Sequence, residues 1–298
     1  MHLGLRRRFV LIVGAAVAAP LLLGIFSIWF FGYRYFIQQR GMSFEILAKS
    51  IAHSQDNLMQ DQVHDLIGWT DYANLCDLLK SPGLSSSIAA ALGPEKIDSA
   101  WANLRPSEPL LQEILSNPVS RQIKIFQMHN PLYSEILVTD AEGRLVAASN
   151  KTSDYWQADE DWWSKAFKQP MGRYVIDNLH YDESAQIHSR DIAFAVYDPS
   201  APGAPPIGVV KGVINIHPLY SSLTVVPSYQ KINGQVALPD GRIVARLFGE
   251  QIEPLKFRMP EATVREMAAK DSGWFIGSME TGRRDLIGFA TVNLSDPS

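Results

Sequence analysis

Cysteine is almost absent: Cys76 is the only one in 298 residues. No intramolecular disulfide can form, cysteine-built metal sites are excluded, and a lone cysteine reads as a small buried hydrophobe. Charge is scarce too, with 19% Asp, Glu, Lys and Arg and a net charge of −4. Beyond the first residues no basic stripe occurs, which argues against nucleic acid as a partner. Catalytic signatures are missing: there is no G-x-S-x-G elbow, no H-E-x-x-H, no phosphate loop and no dinucleotide glycine fingerprint. No catalytic residue is assigned.

From Phe9 to Gly32 charge is lacking altogether, over a length that exceeds the roughly 20 residues a helix needs to cross a bilayer. Trp29, Tyr33 and Tyr35 lie near its far end, where an aromatic belt belongs. Arg6, Arg7 and Arg8 precede it, which puts residues 1–8 in the cytoplasm and the bulk of the chain outside the cell membrane. Ala16-Val17-Ala18 would suit signal-peptide cleavage, but the apolar run continues well past it, so an uncleaved anchor at 9–32 is expected. Either reading exports the rest.

Residues 41–80 lack proline. Phe44, Leu47, Ile51 and Leu58, then Leu66, Trp69 and Ala73, recur at helical steps and predict a long amphipathic helix. Turn signals from Ser81 to Pro118 separate short helical pieces at 97–104 and 110–115. Strands are expected at Ile123–Phe126, Tyr174–Ile176, Asp191–Val196 and Ile207–Ile216, with a polar loop from Leu179 to Arg190. A second unit from about Ser228 reads as strand–turn–strand, a helix over 261–270, and strands at 273–278 and 285–292. A weak repeat supports two units: Glu142 to Ala147, EGRLVA, is answered by Asp240 to Ala245, DGRIVA. Gly208-Val209-Val210 and Gly288-Phe289-Ala290 form a second candidate pair.

The chain is organised around Glu135–Phe167. Ile136–Thr139 and Leu145–Ala148 flank a glycine-containing turn and predict a β-hairpin. A polar loop follows, and then Tyr155, Trp156, Trp162 and Trp163 interleave with Asp154, Asp159, Glu160 and Asp161. Rings and acids at that density suit the wall of a small-molecule pocket; a plain core with solvated acids at a helix start is the competing reading. Adjacent residues on a helix point about 100° apart, so one of Trp162 and Trp163 is expected to pack while the other lines the pocket.

This block, a strand, a D-x-x-G turn, a strand ending V-A-A-S, then D-Y-W-Q-x-D-E-x-W-W-x-x-A, resembles the double Cache family of bacterial extracytoplasmic sensor domains. The resemblance implies an α+β fold: an N-terminal transmembrane helix, a long stalk helix, and two tandem PAS-like (Cache) antiparallel-sheet units. The divisions expected are 1–8 cytoplasmic, 9–32 transmembrane, 33–227 long helix and membrane-distal unit, and 228–298 membrane-proximal unit. The family's second membrane helix and output module do not follow Asn293–Ser298 in this sequence. A homodimer through the long helix is also implied.

In the family's amino-acid-binding branch a Tyr, an Arg, a Trp-Tyr pair and later acids clamp the ligand. Tyr155, Trp162 and Trp163 stand at matching positions, and Asp182 answers the first later acid. Glu160 occupies the arginine position and Val213 that of the second acid. An acid cannot pair with a ligand carboxylate, whereas carboxylates beside rings favour a cation. The expected ligand is a small organic cation, a cationic amine, held by Tyr155, Trp156, Glu160, Trp162, Trp163, Tyr174 and Asp182. Arg173, Lys165 and Arg190 leave an anionic ligand open. His180, Asp182, His188 and Asp191 match no metal-binding spacing and read as solvated loop residues, so no metal or cofactor is assigned. The function expected is ligand sensing that biases the membrane segment; an anchored extracytoplasmic hydrolase and a structural or adhesion module are the alternatives.

Overall fold

The computed structural model describes residues 5–72, 74–81, 83, 87–88, 91–177, 179–182, 186–221, 232–247, 252–279 and 283–292. Helix α1 (Leu5–Tyr72), of 68 residues, takes in the charge-free segment and the proline-free one as far as Tyr72; the expected long helix does not run on through Lys80, since Leu75–Lys80 is a helix of its own. Its charge-free half leaves large apolar side chains exposed, Leu23 and Ile28 among them. Farther along, Ala52, Gln55, Met59, Val63 and Leu66 form a buried stripe at three- and four-residue steps. Phe44, Leu47, Ile51 and Leu58 border that stripe and are only half-buried. Ala73 and the expected unit boundary near Ser228 lie outside the described residues.

Helices α2 (Leu75–Lys80), α3 (Pro94–Trp101), α4 (Pro109–Ser116) and α5 (Pro118–His129) follow. Three of them begin with proline, which is preorganised for a first helical turn. The expected strand at Ile123–Phe126 is part of α5. Asn117 caps this helix by accepting from Ser120 N at 2.9 Å, and Val119 and Ile123, four apart, are buried on one face. Three apolar residues around Lys124 fit both periods, and the cap decides for helix.

Strands β1 (Tyr133–Asp140), β2 (Leu145–Ala148), β3 (Val175–Ile176), β4 (His180–Asp182), β5 (Ile187–Val196) and β6 (Gly208–Asn215) build one antiparallel sheet. Its order is β2-β1-β6-β5-β3, with β4 also on β5. The expected polar loop over 179–190 is therefore largely sheet, because β5 extends back to Ile187 and pairs with His180–Asp182. Side chains alternate between two covered faces. On one face a Cβ at Gly212 would press into the Tyr133 ring and Leu66 of α1, and Tyr133 donates its hydroxyl to Gln62 O at 2.6 Å. On the other, Leu137, Ala148, Ala193 and Val209 join Tyr155, Trp101, Trp162 and Trp163 in a buried cluster. The last two rings belong to α6 (Asp161–Phe167).

After α7 (Ile216–Ser221) come β7 (Gln235–Ala237) and β8 (Ile243–Arg246), α8 (Glu261–Ala268), and β9 (Ser272–Gly277) paired with β10 (Asp285–Ala290). The EGRLVA and DGRIVA segments have the same backbone. Gly143 and Gly241 both have positive φ, 78° and 88°. Both hairpins change register at the same step, Val138/Thr139 and Val236/Ala237. Gln157 N donates to Gly143 O at 2.8 Å as Met259 N donates to Gly241 O at 2.9 Å. Leu145 N donates to Tyr155 O and Ile243 N to Phe257 O in the same manner. Six similar residues thus encode one structural device twice.

Two compact units emerge. One holds 54–238 and 242–257, with the six-stranded sheet; the other gathers 1–53, 239–241 and 258–291. Within the latter, a Cβ at Gly41 would overlap the Trp274 indole of β9, and Gly288 of β10 lies against Phe44 and Glu45 of α1. Glycine at both positions lets the β9–β10 ladder approach α1 closely.

Candidate functional site

The site is built on the sheet face beneath α6. Asp191 on β5 stands opposite Val213 on β6, and Lys211 stands opposite Ala193 on β5 and Leu137 on β1. Asp191 and Lys211 are therefore diagonal neighbours on one face. The Lys211 ammonium lies 2.7 Å from Asp191 Oδ2, the two side chains being only 10% and 1% exposed. The same ammonium sits 4.6 Å from the centre of the Trp162 ring, a cation–π contact in a desolvated setting. Ser189 donates its hydroxyl to Asp191 Oδ1 at 3.0 Å. His180 Nε2 comes within 3.4 Å of Asp191 Oδ2, and Asp182 joins them.

Both Trp162 and Trp163 are buried, contrary to the expectation that only one would pack. Trp163 donates its indole N–H to Thr139 Oγ1 at 2.7 Å on β1 and stacks on Phe167, while Trp162 covers Lys211 on β6. The two indoles diverge by a helical step, but a short helix lying on a sheet has strands under both flanks. One turn of helix thus seals two neighbouring strands.

Among the other expected ligand residues, Tyr155 is fully buried and its ring meets Trp101 at 5.6 Å. Asp98 Oδ1 accepts from Tyr155 N and Trp156 N, at 2.7 and 3.0 Å, and fixes the loop. Trp156 is half-buried and donates its indole N–H to Glu142 O at the hairpin turn. Tyr174 is buried just before β3, and Asp182 is buried on β4. Asp182 and Asp191 are thus interior sheet residues rather than solvated loop acids. His188 of β5 turns its ring edge to Tyr181 at 5.3 Å and is not part of the His180–Asp182–Asp191 group.

Glu160 occupies the N-cap position of α6 and makes no capping hydrogen bond. Partial burial, with Asp154 and Asp159 nearby, raises its carboxyl pKa; Lys211 pulls it down less strongly. A carboxyl raised in the fold stabilises it below the unfolded carboxylate range, and that contribution is lost as pH rises through the folded pKa. Glu160→Gln is therefore expected to raise the melting temperature slightly at pH 7, with the gain vanishing below about pH 4. A gap of equal size at pH 3 and pH 7 would show that charge is not the cause.

Lys211 is the residue that sequence reasoning missed. Its signal is a lone lysine in GVVKGVIN, a strand buried on both faces except at its last residue. Such a lysine requires a buried carboxylate, and Asp191 is the one on the adjacent strand. Asp191 stands directly across from Val213, and Lys211 lies near enough to Glu160 for its charge to act there.

No protein-family model matches the sequence, and no curated protein matches it. Solved structures do. The extracellular domain of the histidine kinase rpHK1S-Z16 aligns with a TM-score of 0.52 at 13% identity, over 85% of this chain and 90% of that one. The ligand-binding domain of the Campylobacter jejuni chemoreceptor Tlp3, in complex with L-norvaline, gives 0.48 at 16% identity over 74% and 86%. That of the Pseudomonas aeruginosa amino acid chemoreceptor PctB, in complex with L-Gln, gives 0.46 at 12% over 84% of each chain. The chain therefore has the fold of that histidine kinase's extracellular domain, in keeping with the double Cache type that its sequence resembles.

Proposed function

We propose that this protein is a membrane-anchored extracytoplasmic sensor module, which binds a small molecule beneath α6 and passes a conformational signal to its membrane segment. The observation that carries the reading is the buried Trp162–Lys211–Asp191 constellation, opposite charges held against an aromatic ring inside a sensor fold. Such polar groups converging in an apolar setting are what orient a bound ligand. In this reading residues 1–8 are cytoplasmic, 9–32 cross the membrane, 33–227 form the long helix and distal PAS-like unit, and 228–298 the proximal one. An 18-residue window of α1 with a mean hydropathy of 2.6, none of it buried, supports the span. The recurrent hairpin turn at Gly143 and Gly241 supports two units of one design. The long helix would pair with that of a second copy.

A cationic amine would meet Asp182 and Asp191. Lys211 adds what the sequence alone did not suggest, a partner for an anionic group on the same molecule. A ligand that engages either charge competes with the internal ion pair, and its differential affinity for the opened and closed pair would supply the signal. The test is a thermal-shift screen of the full chain in nanodiscs against amines, amino acids, organic acids and nucleobases. One class is expected to give a saturable rise, about 2.7 kcal/mol of stabilisation at a hundred times Kd. Trp162→Phe and Asp182→Asn should each abolish it while remaining folded. A folded protein that responds to no class would overturn the reading, and chemical conversion of an added compound would favour a hydrolase instead.

A further inference from the structure

At the junction of β4 and β5, three side chains converge in a manner that holding an organic ligand does not require. We propose that His180, Asp182 and Asp191 form a site for a divalent first-row transition metal ion. The backbone itself brings them together. His180 and Asp182 are two apart on β4 and so share a face; His180 pairs with Ser189, two residues before Asp191. One ligand atom from each residue lies within 4.8 Å of the other two. His180 Nε2 and Asp191 Oδ2 are 3.4 Å apart, and two ligands each about 2.1 Å from a tetrahedral ion stand about 3.4 Å from one another. A rotation of the Asp182 carboxylate closes the triangle.

A second observation points to a cation at the same place. Asp191 is 1% exposed, and among the described residues its Oδ2 accepts no aligned hydrogen bond. The Lys211 ammonium lies 2.7 Å from that oxygen and His180 Nε2 3.4 Å from it, so the same oxygen faces both a cation and a metal-binding imidazole. Ser189 holds the other carboxylate oxygen, the orienting part that outer residues play around metal ligands. One imidazole nitrogen and two carboxylate oxygens suit zinc, manganese or iron(II), and are too few and too nitrogenous for calcium. His180 is 38% exposed, so an ion has an entry path and keeps open coordination positions. Lys211 opposes the ion by its charge and so sets the affinity.

The proposal shares Asp182 and Asp191 with the small-molecule reading but stands apart from it. Trp162→Phe tests that reading and leaves all three metal ligands in place; His180→Ala tests this one. The full chain in nanodiscs, stripped with chelator, would be titrated with Zn²⁺ by calorimetry and with Co²⁺ by visible absorption. One equivalent is expected to bind, with Co²⁺ ligand-field bands. His180→Ala should weaken binding by more than about tenfold, whereas His188→Ala, on the neighbouring strand β5, should not change it. Lys211→Met, which removes the competing charge, should gain more thermal stabilisation from Zn²⁺ than the natural chain does. Absence of stoichiometric binding, or binding that His180→Ala leaves unchanged, overturns the site.

Discussion

Asp191→Ala is expected to destabilise the unit containing the six-stranded sheet by about 3–5 kcal/mol, because it leaves the Lys211 ammonium buried without its counter-ion. The side chain of Lys211 is 10% exposed and its ammonium is held between Asp191 and the Trp162 ring. The ring alone offers ~2 kcal/mol or somewhat more when desolvated, less than the cost of taking an ammonium out of water. Glu160, a carboxylate that also acts on Lys211, is only partly buried at the start of α6, where solvent screens it. The pair as a whole is a different matter. Replacing both charges by apolar groups removes desolvation and attraction together and is often neutral. The double variant Asp191→Leu with Lys211→Met should therefore recover most of the loss. Urea unfolding followed by tryptophan fluorescence reads both variants. If the double variant is no more stable than Asp191→Ala, Lys211 is not the group left stranded, and the ion pair is not what holds this face of the sheet.

The limits of the sequence fall where local and long-range information part. Apolar runs and turns predicted the hairpin of β1 and β2, the strands β3, β5 and β6, and all five elements from β7 to β10. Each depends on neighbours within a few residues. Ile123–Phe126 failed because three apolar residues around a lysine fit either period, and the cap at Asn117 that settles the matter lies outside the run. The segment 179–190 failed because a polar strand looks like a loop until its partner is known. β4 exists only because β5 extends back to Ile187 and pairs with it. The site divides in the same way. The rings were legible as a dense cluster, since Tyr155, Trp162 and Trp163 lie within nine residues of one another. Lys211 was not, because it is 49 positions beyond Trp162 and only the β1–β6 and β5–β6 registers bring it under that ring. The expectation of a cationic ligand rested on Glu160 and Val213, and neither position reveals that Asp191 stands across from Val213 with the Lys211 ammonium beside it.

The duplicated turn offers a sharper contrast, since the same substitution should cost different amounts at its two copies. Gly143→Ala and Gly241→Ala both force a side chain into left-handed backbone, φ 78° and 88°, at about 1–2 kcal/mol each. What the new methyl group meets differs. At Gly143 it would overlap Ala158, whose backbone N and Cα would lie at 2.6 and 2.8 Å. That backbone is pinned, for Gln157 N donates to Gly143 O and Trp156 pairs with Arg144 across the turn. It cannot withdraw without lifting the loop that carries Tyr155 into the core. At Gly241 the nearest atom is Cγ2 of Val264, at 2.6 Å, the end of a side chain on α8. A valine can turn about χ1, and the other neighbours stand at ordinary contact, 3.7 and 3.8 Å. Overpacking of ~1–3 kcal/mol should therefore add to the backbone term at Gly143 and largely be relieved at Gly241. Gly143→Ala is expected to lose about 2–5 kcal/mol and to expose the buried tryptophans, seen as a red shift of their emission. Gly241→Ala should lose about 1–2 kcal/mol and leave that emission unchanged. Equal losses would mean that left-handed backbone alone sets the cost, and that the packing of Ala158 against the turn contributes nothing.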